Sequence, residues 1–514
     1  MRYGGKHAAP FEFRVPLMSG GLNRALNAVS IADNEVASER NMWLSPMGEY
    51  ETRPGFAKVT DTGTSKPIDG LYYSAETAKH LVASNNKLYT LVTSTGALTE
   101  VGNLNGTNTA TSFADFNGAC YIAHGGTLQV YNGSTLADVT GSGDAAPADA
   151  SFVKAMSTRL WVAGSGSTAY WCGANDPTDW GGDSPRTGGF AYIEKGDGGV
   201  LTGLGLIDGM PVLFKGGAGR RKSITICAGD TPTDFVFKCV SEGTAAISGL
   251  AVDNLNGDML FCAEEGVQSL GMIRDYNNPK AFPLSLKILP SYTTYTPVSA
   301  CSDPKRGYFY AVTSRDVFAF HAGTKGWHRW VLNGITPKVI AQVSGDNIYI
   351  GASDGHVYRL SEGAYLDGGA AFTWDWATRA YDFGNVAYTN RSYDSGAPMR
   401  NKLIKWMNIG YTPLSGSGTG GMTVYYRTNY GQVDEASSSV TVSGDSSVGW
   451  DGAFAWDAAG VGWDETSYIE KRRRVHIVGS NIQFGFAGNV PVRLNGITVS
   501  GAVLSRTAGD YQTA

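Results

Sequence analysis

Two clusters of cations are the residues best placed by type and spacing to do chemistry. The first is the loop Gly216–Ser223, GGAGRRKS, in which Arg220, Arg221 and Lys222 follow a glycine-rich run. A phosphate-cradling loop needs glycine immediately before its Lys-Ser pair, so that backbone N–H groups can close on the anion. Arg221 occupies that position, so the motif fails and the loop reads as a basic contact for an acidic partner or a phosphate backbone. The second is Lys471-Arg472-Arg473-Arg474, the densest basic run of the chain, read here at the entrance of a strand. Four consecutive cations repel one another unless carboxylates or phosphates compensate them. The acidic run Asp464-Glu465 is one candidate partner; nucleic acid or a neighbouring protein is the other.

Other patterns offer weaker chemistry. Trp450-Asp451, Trp456-Asp457 and Trp463-Asp464 could stack sugar rings and hold hydroxyls or calcium, although core packing with turn-forming aspartates is the commoner explanation. Asp253–Asp258 has a calcium-loop flavour but lacks the spacing and terminal glutamate of an EF-hand. An Asn-Gly hairpin accounts for it. No histidines fall at metal-ligand spacing on one element, and no nucleophile–base set can be assembled, so the expectation is a protein without catalytic, cofactor or metal sites.

The elements that must carry these residues repeat. Seven copies of a strand–turn–strand pattern begin at Asn85, Asn117, Ser157, Asp208, Asn256, Lys305 and Gly345. Asn-Gly and Asp-Gly pairs at the turns supply the positive φ that tight hairpins demand. Their separation approaches the period of about 40–50 residues of four-stranded propeller blades. The expected fold is all-β, a β-propeller of six or seven blades over residues 61–365. If the ring closes, the strand near Lys66–Tyr73 is expected to pair with the last copy, since an open sheet edge invites aggregation.

Residues 1–60 are read as an extended arm with a short helix around Asp33–Trp43 and a glycine-marked turn at Arg53-Pro54-Gly55. Residues 366–514 read as a β-sandwich, with strands at Phe372–Phe383, Lys402–Tyr411, Met422–Arg427, Val475–Val478, Ile482–Phe486 and Val492–Val499. Glycine- and serine-rich loops are expected at Ser415–Gly421 and Ala436–Gly449.

Composition agrees with this class. The 514 residues include 68 glycines, and only 17% are charged against a typical quarter or so. A net charge of −5 argues against a protein that grips nucleic acid, while allowing a surface past which it slides. Six cysteines without CxxC spacing read as buried free thiols in a reducing compartment. The start MRYGGKHAAPFEFRVP carries no export signal, and no apolar run is long enough to span a membrane.

Two end segments add a resemblance. Gly21, Leu22 and Asn23, then Asp33, Asn34 and Glu35, then Arg53, Pro54, Gly55 and Phe56 resemble the opening of tail nozzle, tail tubular and packaged-DNA stabilisation proteins of short-tailed bacteriophages. The closing segment is similar to that family's last strands, with Arg493, Leu494 and Ile497 in place. The resemblance implies a virion structural protein of the tail, assembled in the host cytoplasm, and no enzyme. Its partners would be copies of itself in a ring, expected to be a hexamer, an adaptor or head-to-tail connector protein, and possible tail fibres or tailspikes. DNA would pass through the channel without specific binding. The N- and C-terminal segments would together form a platform domain. Six copies would carry a charge of about −30, unfavourable for DNA sticking in the lumen. A carbohydrate- or receptor-binding tail propeller is the alternative.

Overall fold

A computed structural model describes residues 9–107, 110–141, 145–156, 158–181, 188–194, 196–217, 219–276, 283–343, 347–383, 401–414, 419–428, 436–443 and 469–504. The protein is almost entirely β, as expected, and is built from several antiparallel sheets. No helix among the described residues is long and apolar enough to cross a membrane.

The hairpin turns follow from residue type. Asn117-Gly118, Asp208-Gly209 and Asn256-Gly257 all sit at positive φ, which these residues tolerate and which matches the twist of the flanking strands. Each sequence copy therefore folds on itself. Four successive four-stranded sheets span Ile68–Asn103, Ser112–Asp138, Phe152–Tyr192 and Val200–Glu242. A three-stranded sheet follows at Val252–Ser269 and a four-stranded meander at Pro297–Val331. The last copy supplies Pro337–Val343, Asn347–Ala352 and His356–Ser361.

The first strand of each sheet packs on the first strand of the next, and Pro337–Val343 of the seventh returns to Ile68–Ser74 of the first. Apolar clusters fill the spaces between neighbours. Leu88, Phe113 and Ile122 lie between the first and second sheets, and Ile68, Val82, Val339 and Tyr349 between the seventh and the first. Serine hydroxyls fasten the first strands at two junctions. Ser112 Oγ donates to the Val153 carbonyl at 3.0 Å and accepts from its N–H at 3.1 Å. Ser299 Oγ does the same to Ile340, at 3.3 and 3.1 Å.

The strand that covers the last edge differs from the expected one. Gly55–Asp61, not Lys66–Tyr73, hydrogen-bonds antiparallel to His356–Ser361. Ile68–Ser74 instead pairs with Lys79–Ser84 and begins the first sheet. Gly55 approaches the backbone of Leu366 so closely that a Cβ would lie 2.2 Å from its carbonyl oxygen. This glycine serves close approach, and its φ is not among the positive ones.

The remaining strands form two sheets that enclose one core. The first runs Ile469–Gly479, Lys402–Pro413, Val492–Val503, Tyr50–Thr52 and Met42–Leu44, with Ala9–Val15 also paired to Val492–Val503. The second runs Glu35–Arg40, Trp374–Tyr381, Ile482–Gly488, Thr419–Thr428 and Ala436–Ser443. Between them lie Phe11, Tyr50, Trp376, Ile404, Met407, Phe484, Phe486 and Val499. The two-residue strand Gly21–Leu22 pairs in parallel with both Glu35–Arg40 and Gly326–Val331, fusing this sheet to the sixth repeat.

Two expectations fail here. Asp33–Trp43 is not helical but forms the strands Glu35–Arg40 and Met42–Leu44, separated by Asn41 at φ 60°. A left-handed residue cannot continue a helix, and pairing with Trp374–Tyr381 satisfies the backbone instead. Within the expected loop at Ala436–Gly449, Ala436–Ser443 is a strand in register with Thr419–Tyr426. The β-branched Val440, Thr441 and Val442 favour that pleat over a serine-rich loop.

Candidate functional site

The loop cluster is electrically closed. Arg221 Nη2 lies 2.6 Å from Glu242, and Lys222 Nζ lies 2.8 and 2.7 Å from Glu264 and Glu265. Two cations thus face three carboxylates, and the Lys222 pairs bridge the fourth sheet to the fifth. At the base of the loop Lys215 is fully buried. It donates to the carbonyls of Ile193 and Glu194 and sits 2.7 Å from Asp197, whose carboxyl its hydrogen bond holds below the usual carboxylate range. Arg220 is exposed. A compensated loop of this kind staples sheets better than it grips phosphate.

The second cluster lies inside a strand, not at its entrance. Lys471–Arg474 belong to Ile469–Gly479, the edge strand of its sheet, and pair with Met407, Asn408, Ile409 and Trp406. Strand alternation splits them: Arg472 and Arg474 are exposed, while Lys471 and Arg473 are half-buried. The Arg472 guanidinium sits 4.4 Å above the Trp406 ring, which fixes a planar cation on an aromatic face. Across the sheet the same face carries Ser500, Thr498, Glu12 and Arg14. The two clusters are therefore not brought together into one site. Asp464 and Glu465, the Trp-Asp pairs and Ser415–Gly418 lie outside the described residues.

A third set was not read as a site in the sequence, although Asn23, Glu35, Arg53 and Arg493 of it carry the family resemblance. Arg53 and Asp367 form a bidentate pair at 2.9 and 2.6 Å with both side chains wholly buried. Arg53 Nε donates to Asn41 Oδ1 at 3.0 Å, and its guanidinium lies 4.0 Å from the Phe372 ring centroid. Asp367 further accepts from the backbone N–H of Phe56 and of Asn333. Nearby, Glu39 accepts from Tyr50 Oη at 2.9 Å and lies 2.9 Å from His328 Nδ1, all buried. Burial first, then Glu39, pushes the Tyr50 phenol well above its usual value. Glu35 accepts from Asn23 at 2.8 Å and pairs with Lys287 at 2.8 Å. Arg493 Nε lies 2.9 Å from Glu51. The signal for this set was present as charged residues within Glu35–Arg53, but no local period reveals partners hundreds of residues away.

Reactive groups are muted elsewhere. Of the six free cysteines five are buried, and burial pushes the Cys172 thiol up to about 11. Cys239 is exposed. His124 bonds Thr111 and Asn86, and His356 lies 3.0 Å from Asp61. Among the described residues no group of three or more metal-ligating side chains is assembled.

No family model and no curated protein matches the chain. Among solved structures it is similar to the computationally designed Ika8 protein, with 12% identity and a TM-score of 0.38 over 59% of this chain and 99% of that one. A domain named as the extracellular domain of a one-component system of B. thetaiotaomicron gives 10% identity and a TM-score of 0.44, over 80% of this chain and 58% of that one. A chain named as a gluconolactonase gives 9% identity and a TM-score of 0.35, over 60% of this chain and 92% of that one. Likenesses this weak carry no functional information.

Proposed function

We propose that this chain is a structural protein of a short bacteriophage tail, a nozzle or tube component in which a seven-bladed β-propeller hangs from a β-sandwich platform. Copies form a ring, expected to be six-fold, that extends the head-to-tail channel, retains packaged DNA and lets it pass at infection. It works by shape and charge, with no chemical step and no cofactor. The observation that carries this reading is that both chain ends share one sheet. Ala9–Val15, Met42–Leu44 and Tyr50–Thr52 interleave with Lys402–Pro413 and Val492–Val503. The residues of the family resemblance sit at these joins: Gly21 bridges two strands, Asn23 bonds Glu35, Arg53 pairs with Asp367, and Arg493 meets Glu51. The cyclic packing of seven first strands supports the propeller, with the N-terminal strand Gly55–Asp61 closing the last blade.

On this reading the outer platform face with Arg472, Arg474 and Trp406 contacts a neighbouring copy or the adaptor ring. The compensated Arg220–Lys222 loop would leave passing DNA unheld. Mass photometry of the purified protein, alone and with its adaptor, is expected to give ring-sized particles. Monomers under both conditions would overturn the proposal. The receptor- or carbohydrate-binding alternative has one observation in its favour, the exposed Phe190 and Tyr192 rings on an outer strand beside Tyr170. Glycan-array binding lost on Phe190→Ala would favour it.

A further inference from the structure

The two-residue strand Gly21–Leu22 fills only part of the gap between Glu35–Arg40 and Gly326–Val331. Past Leu22 the chain turns away at Arg24, and a cavity of about 320 Å³ remains where the two longer strands run on. Four arginines from four separate segments line it: Arg24 after the short strand, Arg40 at the end of its strand, Arg315 in a hairpin turn and Arg329 on the facing strand. In a chain of only 17% charged residues this is an unusual concentration of cations.

The carboxylates at the cavity do not cancel it. Glu39 is committed to Tyr50 and His328. Asp375 is held by Arg40 at 2.6 Å, and the buried Asp316 by Arg329 at 2.8 Å. Arg24 and Arg315 donate to neutral groups: Ser291 Oγ at 3.4 Å, at the edge of hydrogen-bond range, and Tyr295 Oη at 2.7 Å. Two exposed guanidiniums with neutral partners, backed by two more anchored on carboxylates, leave excess positive charge facing the cavity. Guanidinium forks match the oxygen geometry of phosphate, and converging forks bind it far better than isolated surface cations. The volume lies at the small end of the about 300–1,000 Å³ range of ligand sites, larger than one oxyanion alone needs.

We infer that this cavity is a binding site for a compact phosphate-bearing ligand, its phosphate held by Arg24 and Arg315 over Arg40 and Arg329. The site stands apart from the ring proposal and does not depend on it. The phosphate could belong to a small phosphorylated molecule or to a nucleic-acid backbone, and the arms of the test separate them. Isothermal titration of the full chain with pyrophosphate, adenosine monophosphate and a short single-stranded oligonucleotide, at constant ionic strength, is expected to give saturable binding of at least one. Saturation by the small phosphates alone identifies the first source, and by the oligonucleotide alone the second. Arg24→Ala and Arg315→Ala, at exposed positions, are each expected to weaken that binding by about tenfold. Arg315→Lys, which keeps the charge but loses the fork, is expected to fall between. Binding by none of the three probes, or binding unchanged in both alanine variants, would overturn the inference.

Discussion

The repeat sheets and the seam that joins the chain ends are held by different physics. In the repeats, contacts are local in sequence, cores are apolar, and hairpins such as those at Asn117-Gly118, Asp208-Gly209 and Asn256-Gly257 turn on two residues. In the seam, Arg53 meets Asp367 across 314 residues and His328 meets Glu39 across 289, with all four side chains buried. Local apolar packing is tolerant, because a sheet can readjust against its neighbours. A buried ion pair is not, since loss of one partner strands an uncompensated charge in a poorly polarisable interior. A protein can thus build its bulk from forgiving repeats and place specificity where its N-terminal segment meets the end of the repeats.

The sharpest way to break this contrast is Arg53→Ala. Asp367 would be left charged and buried, and the expected loss is about 3–5 kcal/mol in urea unfolding. The double change Arg53→Met with Asp367→Leu is expected to recover most of it, because a well-packed apolar pair avoids the desolvation cost. If the single variant unfolds like wild type, the seam is not a point of specificity.

A second test lies in the first sheet. Burial raises the Asp69 carboxyl from 3.8 to about 6, against the opposing pull of Lys338. The folded state therefore holds this proton more tightly than the unfolded chain. Stability from this group is full below about pH 4 and is lost as pH rises through about 6. Asp69→Asn should remove that slope and gain about 2 kcal/mol at pH 7.5 relative to its value at pH 4. Parallel unfolding curves of the two proteins at both pH values would deny it.

A smaller effect is expected at the serine fasteners. Ser299→Ala removes an acceptor for the Ile340 N–H and a donor to its carbonyl, costing about 1–2 kcal/mol by thermal unfolding. Ser112→Ala should cost a similar amount, since it too donates to a carbonyl and accepts from the N–H of one residue, although Ser299 also reaches the Leu250 carbonyl at 3.2 Å. Unequal costs would mean that the junctions differ in their surroundings. Smallest in stability, but not in assembly, is Arg472→Glu with Arg474→Glu. Unfolding should shift by less than about 0.5 kcal/mol because both side chains are exposed, while particle size by mass photometry should fall.

Much of the repeat architecture was legible in advance for a physical reason. Asn-Gly and Asp-Gly report local backbone angles, and strand alternation reports a local face. Six of the strands from Trp374 to Val503 were placed by the same signals, five with extended ends and Trp374–Tyr381 shorter than expected, while Ala436–Ser443 had read as a loop. Glu35–Arg40 was not, because its alternation is Glu35 and Glu39 against Ser38 and Arg40, polar on both faces. Its burial is stabilised by Asn23, Lys287, Tyr50 and His328, none of which is near in sequence to all its contacts. The closing strand Gly55–Asp61 was missed because pairing across some 300 residues leaves no local mark. The basic runs were found as runs, but their carboxylate partners Glu242, Glu264 and Glu265 emerge only when sheets are adjacent. The four arginines of the cavity, scattered from Arg24 to Arg329, had no sequence signal at all.

If a plate made from both ends of this chain organises a ring, as proposed, electron cryomicroscopy of the purified protein with its adaptor should show closed six-fold rings. The sheet containing Ala9–Val15 and Val492–Val503 should form the annulus, with the seven repeat sheets peripheral to it. Single copies, or rings whose contacts run through the repeat sheets with the shared sheet facing solvent, would contradict the proposal.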